Sequence, residues 1–179
     1  MRALILGRYQ PFHNGHLEVI KEILEETDSI IIAIGSAQHS HSIENPFTAG
    51  ERYLMISNTL NTHGITNHYI VPIIDINRYA LWVAHVESMV PPVDKIYTHN
   101  PLTKRLFSEK NYEVVSPKIY DREKYSGQEI RRRIIESESW HDLVPNEVVK
   151  VIEDVDGVER LRELAISDEI GPNEEEIQE

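Results

Sequence analysis

His13 and His16 lie three residues apart within Gly7-Arg8-Tyr9-Gln10-Pro11-Phe12-His13-Asn14-Gly15-His16, a spacing that puts two imidazoles on one face of a helix. Gly15 between them lets a ligand approach the backbone closely. A helix opening with free N–H groups, a glycine and two imidazoles suits an anion, phosphate above all. Two histidines decorating a surface helix are the plain alternative, and so short a motif recurs by chance. Position raises it above chance. The ten residues follow the apolar run Ala3 to Leu6, a first strand that Pro11 cannot continue. From Leu17 the apolar residues recur at Ile20, Ile23 and Leu24 with helical period. The histidines therefore belong at the carboxyl edge of a strand, where open α/β sheets bind ligands.

A second anion motif is Tyr125-Ser126-Gly127-Gln128-Glu129-Ile130-Arg131-Arg132-Arg133. Ser126 and Glu129 read as a capping box, so a helix starts at Ser126 and again offers free N–H groups. Arg131, one turn further on, can fork onto phosphate oxygens. Arg132 and Arg133 point elsewhere around the helix and read as solvated or paired with Glu136 and Glu138. The two motifs together suit a nucleoside triphosphate, provided that chain winding brings both to one edge.

Other chemistry-bearing residues are weaker signals. His39 and His41 have a metal-like spacing but lack a further ligand nearby, and a metal site needs three or more. Thr48 and Glu51 form a capping box and open a helix carrying Tyr53, Leu54, Ile56 and Leu60. Arg52 sits in its first turn, against the helix dipole, which hints at an anionic partner; a salt bridge to Glu51 or a contact with a strand end is the alternative. Trp82, at the start of a helix after a strand, is core by default or a flat wall for a base. Trp140 reads as core.

The elements that must position these residues alternate. Strands read at Ala3 to Leu6, Ser29 to Gly35, His68 to Ile74, Asp94 to Thr98 and Glu113 to Val115, with helices between them. In the helix from Tyr79 to Met89 the expected inward residues are Leu81, Trp82, His85, Val86 and Met89. Beyond Trp140, Val148 to Leu164 reads as amphipathic helix broken near Gly157. Such alternation gives βαβ crossovers and a parallel five-stranded sheet with helices on both faces. One domain is expected over 1–166. An acidic tail, 167–179, with Asp168-Glu169 and Glu174-Glu175-Glu176, is expected to be disordered.

Composition narrows the partners. A net charge of −12 over 179 residues argues against a general nucleic-acid binder, which needs a basic face. The chain has no cysteine, which excludes disulfides and thiolate metal sites. No apolar run approaches the roughly 18 residues that span a bilayer, so no membrane partner is expected and the cytoplasm is the expected compartment. Neither Gly-x-x-x-x-Gly-Lys-(Ser/Thr) nor Gly-x-Gly-x-x-Gly occurs, which disfavours a P-loop kinase and a hydride-transferring dinucleotide enzyme.

The decapeptide from Gly7 to His16 resembles the signature of the nucleotidylyltransferases. More narrowly, Met1 to about Ala165 is similar to the archaeal-type nicotinamide-nucleotide adenylyltransferases. The run Asn45-Pro46-Phe47-Thr48-Ala49-Gly50-Glu51-Arg52, the run Ala80-Leu81-Trp82-Val83, and Ser126 to Arg131 carry that similarity. The resemblance implies a Rossmann-like, doubly wound three-layer α/β/α fold. It implies transfer of the adenylyl group of ATP to the 5′-phosphate of nicotinamide mononucleotide (NMN), giving NAD and pyrophosphate. It also implies Mg²⁺ carried mainly by the ATP phosphates, with no protein ligand named, and a homo-oligomer, often a hexamer.

On the matching positions, the implied catalytic residues are His13, His16 and Arg131. ATP falls to Gly7, Arg8, Gln10, Phe12, Gly15, Asn100, Ser126 and Arg131. The nicotinamide nucleotide falls to Ser36, Gln38, Phe47, Arg52, Asp75, Tyr79 and Trp82, whose indole stacks on the nicotinamide ring. Three positions depart from the pattern: Tyr79 for a common asparagine, His99 for a glycine and Gln128 for a threonine.

Adenylyl transfer of this kind demands no general base, because a nucleotide phosphate with a second pKa of about 6 is already mostly dianionic at pH 7. The obstacle is repulsion between two anions, met by alignment and fixed donors. Transfer to another phosphorylated acceptor (phosphopantetheine or flavin mononucleotide) stays open at this point, as does a non-catalytic nucleotide sensor. A tRNA synthetase with the same histidine signature is disfavoured by a short, acidic chain.

Overall fold

A computed structural model describes residues 1–121 and 124–170. Strands β1 (Arg2–Gly7), β2 (Ser29–Ile34), β3 (His68–Pro72), β4 (Lys95–Tyr97) and β5 (Glu113–Val115) form one parallel sheet in the order β3-β2-β1-β4-β5. Helices α1 (Asn14–Glu26), α2 (Ala49–Thr62), α3 (Tyr79–Met89), α4 (Pro101–Ser108), α5 (Gly127–Ile135), α6 (Asn146–Asp154) and α7 (Gly157–Ile170) cover it.

The unbroken apolar run of β2 follows from burial on both faces. Ile30, Ile32 and Ile34 pack into one core with residues of α1, α2, α5, α6 and α7. Ile31 and Ala33 pack into another with Val83 and Val86 of α3 and Phe107 of α4. The result is three layers, as the resemblance implied.

The chain first winds outward from β1 through β2 to β3, then crosses back to place β4 on the other side of β1. The order therefore reverses between β1 and β4, and the crevice at their carboxyl ends is where doubly wound sheets bind ligands. Both the turn after β1 and the turn after β4 open there.

The inward face of α3 differs from the sequence expectation. Leu81 and Met89 are outward, 47% and 43% exposed, while Val83 and Val86 are buried. The helix lies beside α4, and its two valines pack with Leu4 of β1, Ile31 and Ala33 of β2 and Ile96 of β4. Trp140 is buried, as read. Helix α7 runs to Ile170, four residues past the expected domain end at 166; the rest of the acidic tail, 171–179, lies outside the described residues. Among the described residues, no helix is long and apolar enough to cross a membrane.

Candidate active site

The turn after β1 is built by Gly7 and Tyr9. The ring of Tyr9 folds back so closely that a Cβ on Gly7 would stand 2.8 Å from it, which only glycine permits. Tyr9 itself adopts φ +53°, a left-handed conformation costly for a side-chain-bearing residue. The turn then delivers His13 as the N-cap of α1 and His16 as its third residue.

These two histidines cap each other. The His16 backbone N–H donates to His13 Nδ1 and the His13 backbone N–H donates to His16 Nδ1, both at 3.3 Å, a capping box made of imidazoles. The rings stack at 3.5 Å between centroids, with Tyr9 edge-on to His16 at 4.8 Å and Phe12 behind it at 5.5 Å. Because each Nδ1 accepts a backbone hydrogen bond, the ring proton of each neutral imidazole sits on Nε2. Burial pushes His13 down to about 3. His16 is lowered too, by burial first and by His13 beside it second. The pair is thus two neutral N–H donors of fixed orientation.

Across the crevice, the Ser126 hydroxyl accepts from the Glu129 N–H and starts α5. Only half of the expected capping box forms, since the Glu129 carboxylate turns outward to Arg132 and Arg133. Arg132 is held by Glu129, Glu136 and Glu138 and does not face the crevice. Arg131 does. It is 8% exposed, its Nη1 donates to the Gln10 carbonyl at 2.6 Å, and its Nε is buried without a partner. Burial first, then the charge of Arg8, lowers it to about 10, so it remains a cation at neutral pH. Gly127 makes the contact possible, because a Cβ there would lie 2.7 Å from the Gln10 carbonyl oxygen.

A cavity of about 630 Å³ opens between these elements, lined among others by Arg8, Gln10, His13, Gly15, His16, Ser126 and Arg131. A smaller one of about 190 Å³ is lined by Asp75, Tyr79, Trp82 and Asn100 with Asn77, Leu102, Thr103 and Leu106. Asn100, expected with the triphosphate group, caps α4 through its Oδ1 and lines this second cavity. Ser36 and Gln38 sit at its edge through Asp75: the Ser36 hydroxyl donates to the Asp75 carboxylate at 2.7 Å, and the Asp75 N–H donates to Gln38 Oε1 at 3.1 Å. Trp82 packs nearly perpendicular to Phe107 and lines the cavity.

Four expected site residues are also engaged within the protein itself. Phe12 and Phe47 are fully buried. The Gln10 side chain ties the turn to Phe47, donating to its carbonyl and accepting from its N–H. Arg52 is fully buried and donates to the carbonyls of Thr48, Arg8, Gly35 and Ser36. The cation misplaced against its own helix dipole thus meets carbonyls just beyond β1 and β2, the strand-end alternative, and Glu51 pairs with Arg160 instead.

Several lining residues were missed from the sequence: Tyr9, Glu44, Lys118, Ile119, Tyr120 and Tyr125. Tyr125 was the most findable, since it directly precedes the Ser126 cap and packs on Gly15, where a Cβ would stand 3.0 Å from it. His99 and Gln128, noted as departures, line the larger cavity and Tyr79 the smaller. Among the described residues, no group of three or more His, Cys, Asp or Glu side chains could hold a metal ion.

Residues 4–133 match the cytidylyltransferase-like family model. A Picrophilus torridus protein named nicotinamide-nucleotide adenylyltransferase is 56% identical over 94% of this chain and 100% of its own length. A Thermoplasma volcanium protein of the same name is 54% identical over 96% of each chain. The fold also matches the crystal structure of a bifunctional NMN adenylyltransferase/ADP ribose pyrophosphatase from Francisella tularensis complexed with AMP and a Mn ion. There the TM-score is 0.76 at 22% identity, over 94% of this chain; this chain spans about half, 53%, of that one.

Proposed function

The chain belongs to the cytidylyltransferase-like family, among the archaeal nicotinamide-nucleotide adenylyltransferases, and on that premise we propose that it transfers the adenylyl group of ATP to the 5′-phosphate of NMN, releasing pyrophosphate and giving NAD. The observation that carries this reading for the site is the meeting of Arg131 with the turn before His13, from motifs 121 residues apart, on one cavity.

In the proposed reaction a phosphate oxygen of NMN bonds to the α-phosphorus of ATP as the bond to the pyrophosphate bridging oxygen breaks. The Nε2–H groups of His13 and His16 face the oxygens where charge develops, and His16 is the main donor to the α-phosphate. Arg131 has one Nη committed to Gln10 and offers its remaining N–H groups to the triphosphate, beside the Ser126 end of α5. Neutral donors suit this role, since they orient the phosphate without moving a proton. No general base is assigned, in keeping with a nucleophile that is already anionic.

The smaller cavity takes the nicotinamide nucleotide, with Trp82 as the stacking wall and Asp75 held by Ser36. A divalent cation, Mg²⁺ in this reading, neutralises the polyphosphate. The donor set around the larger cavity, cationic and rich in N–H groups with one exposed carboxylate, fits a cation that arrives on the phosphates and water. The reaction is placed in the cytoplasm and the working form is an assembly of several copies, with the exposed Tyr53, Leu54, Leu81 and Met89 as apolar surface to cover.

The test is to supply ATP, Mg²⁺ and a panel of acceptors (NMN, nicotinic acid mononucleotide, phosphopantetheine and flavin mononucleotide) and to measure product and pyrophosphate. NAD and pyrophosphate should appear in equal amounts, fastest with NMN. Tight NAD binding without pyrophosphate formation overturns the reading in favour of a sensor.

A further inference from the structure

Among the described residues that line the larger cavity, Glu44 is the one carboxylate, facing the cations Arg8, Lys118 and Arg131. An acid in the wall of a polyphosphate site opposes the ligand, so its placement needs a reason. Its backbone is held. The Asn45 N–H donates to the Ser42 carbonyl and the Ser42 N–H to the Asn45 carbonyl, at 3.1 and 3.3 Å. These reciprocal bonds put Ile43 and Glu44 at the tip of a tight turn, and both line the cavity. Arg8 is held in the same way, since its carbonyl accepts from the buried Arg52. From these two fixed backbones the side chains reach across to each other, Arg8 Nη1 lying 3.9 Å from Glu44 Oε2, and they are 53% and 79% exposed.

Resting on the phosphate-site reading above, we propose that Glu44 is a positioning residue: it holds Arg8 in the empty site, yields it to the triphosphate, and reclaims it as pyrophosphate leaves. The looseness of the pair is what makes this exchange possible. An exposed, screened ion pair contributes little, enough to bias one long side chain and too little to compete with a polyphosphate. A buried pair in the same place would be strongly destabilised when one partner left, and the site would stay shut. Glu44 thus lowers affinity for both ATP and pyrophosphate, which favours turnover over product retention.

The test titrates inorganic tripolyphosphate and pyrophosphate into the full chain, Glu44→Gln, Arg8→Gln and the double variant, at low and high salt. Glu44→Gln should bind both anions about two- to fivefold more tightly, the span an exposed pair can supply. The gain should shrink at high salt and vanish in the Arg8→Gln background. In steady state the KM for ATP should fall by the same factor and pyrophosphate inhibition should strengthen, while the melting temperature stays put. Unchanged or weaker binding by Glu44→Gln overturns the proposal, as does an equal gain without Arg8, or a raised Mg²⁺ requirement that would make Glu44 a cation holder. If the wild-type chain binds no tripolyphosphate, the phosphate-site reading itself fails; if it binds and Glu44→Gln matches it, only the role of Glu44 does.

Discussion

The guanidinium of Arg131 donates to the carbonyl oxygen of Gln10 at 2.6 Å. This bond locks the start of α5 against the turn after β1, and it spends one arm of an arginine that the sequence alone would assign wholly to a ligand.

Replacing Gly127 by alanine tests that lock. The added Cβ would meet the Gln10 carbonyl oxygen at 2.7 Å and Arg131 Nη1 at 3.0 Å, both inside ordinary contact, so α5 must shift outward. Turnover should fall at least tenfold, while the melting temperature drops only by the few degrees that about 1 kcal/mol of overpacking causes. Equal activity in the two proteins would show that the lock is dispensable.

His16→Ala should lose about 10²–10³ in kcat, the usual consequence of removing one preorganised donor, and should remain folded by circular dichroism. The pH profile separates a neutral donor from an imidazolium. With His13 held at about 3 and His16 lowered as well, neither ring of the free enzyme titrates near neutrality. The acid limb should follow the acceptor phosphate, at about 6, and keep its position in the variant.

The same depressed values make a stability prediction. Unfolded histidine takes up a proton near 6.5 while folded His13 resists until about 3, so the unfolded state binds more protons in that window. Stability should therefore be fully present above pH 6.5 and decline as the pH falls towards 3. Urea titrations at pH 7 and pH 4.5 on the wild type and His13→Asn should show a smaller loss in the variant.

Arg52→Ala should act on folding before it acts on catalysis. The carbonyls of Arg8 and Gly35 lose their donor, while those of Thr48 and Ser36 keep a backbone N–H; at about 1–3 kcal/mol for each one left unpaired, a loss of about 2–6 kcal/mol in denaturant unfolding is expected. A soluble Arg52→Ala protein of normal stability with a raised KM would return this arginine to the ligand.

Trp82→Ala should raise the KM for NMN by about 10- to 100-fold, the range that base–aromatic stacking carries, and leave the KM for ATP within a factor of two. A change in both constants would mean that the two cavities do not divide the substrates.

Much of this architecture was legible from the chain because burial leaves a pattern. The isoleucine run of β2 could only be a strand covered on both faces, and the caps at Thr48 and Ser126 located two helix starts. The placement of His13, His16, Ser126 and Arg131 at a carboxyl edge followed from those starts. What escaped depended on contacts far apart in sequence. A strand end was only the alternative partner for Arg52, and nothing local reveals which strand ends it will find, that the Gln10 side chain will bind Phe47, or that Glu129 will prefer two arginines to its own cap. The outward turn of Leu81 and Met89 escaped for a related reason: an apolar helix such as α3 states its period weakly, and its packing against the sheet and α4 decides which stripe is buried.

The mutual caps of the two imidazoles carry a consequence for evolution and for engineering alike. Each ring is aimed by the other residue's backbone N–H, so replacing one histidine removes its hydrogen-bond donor and its stacking face while leaving in place the bond that orients the remaining ring. The two single replacements should therefore be coupled only through the lost stacking, close to additive in a double-mutant cycle, and a lineage could abandon the pair one member at a time.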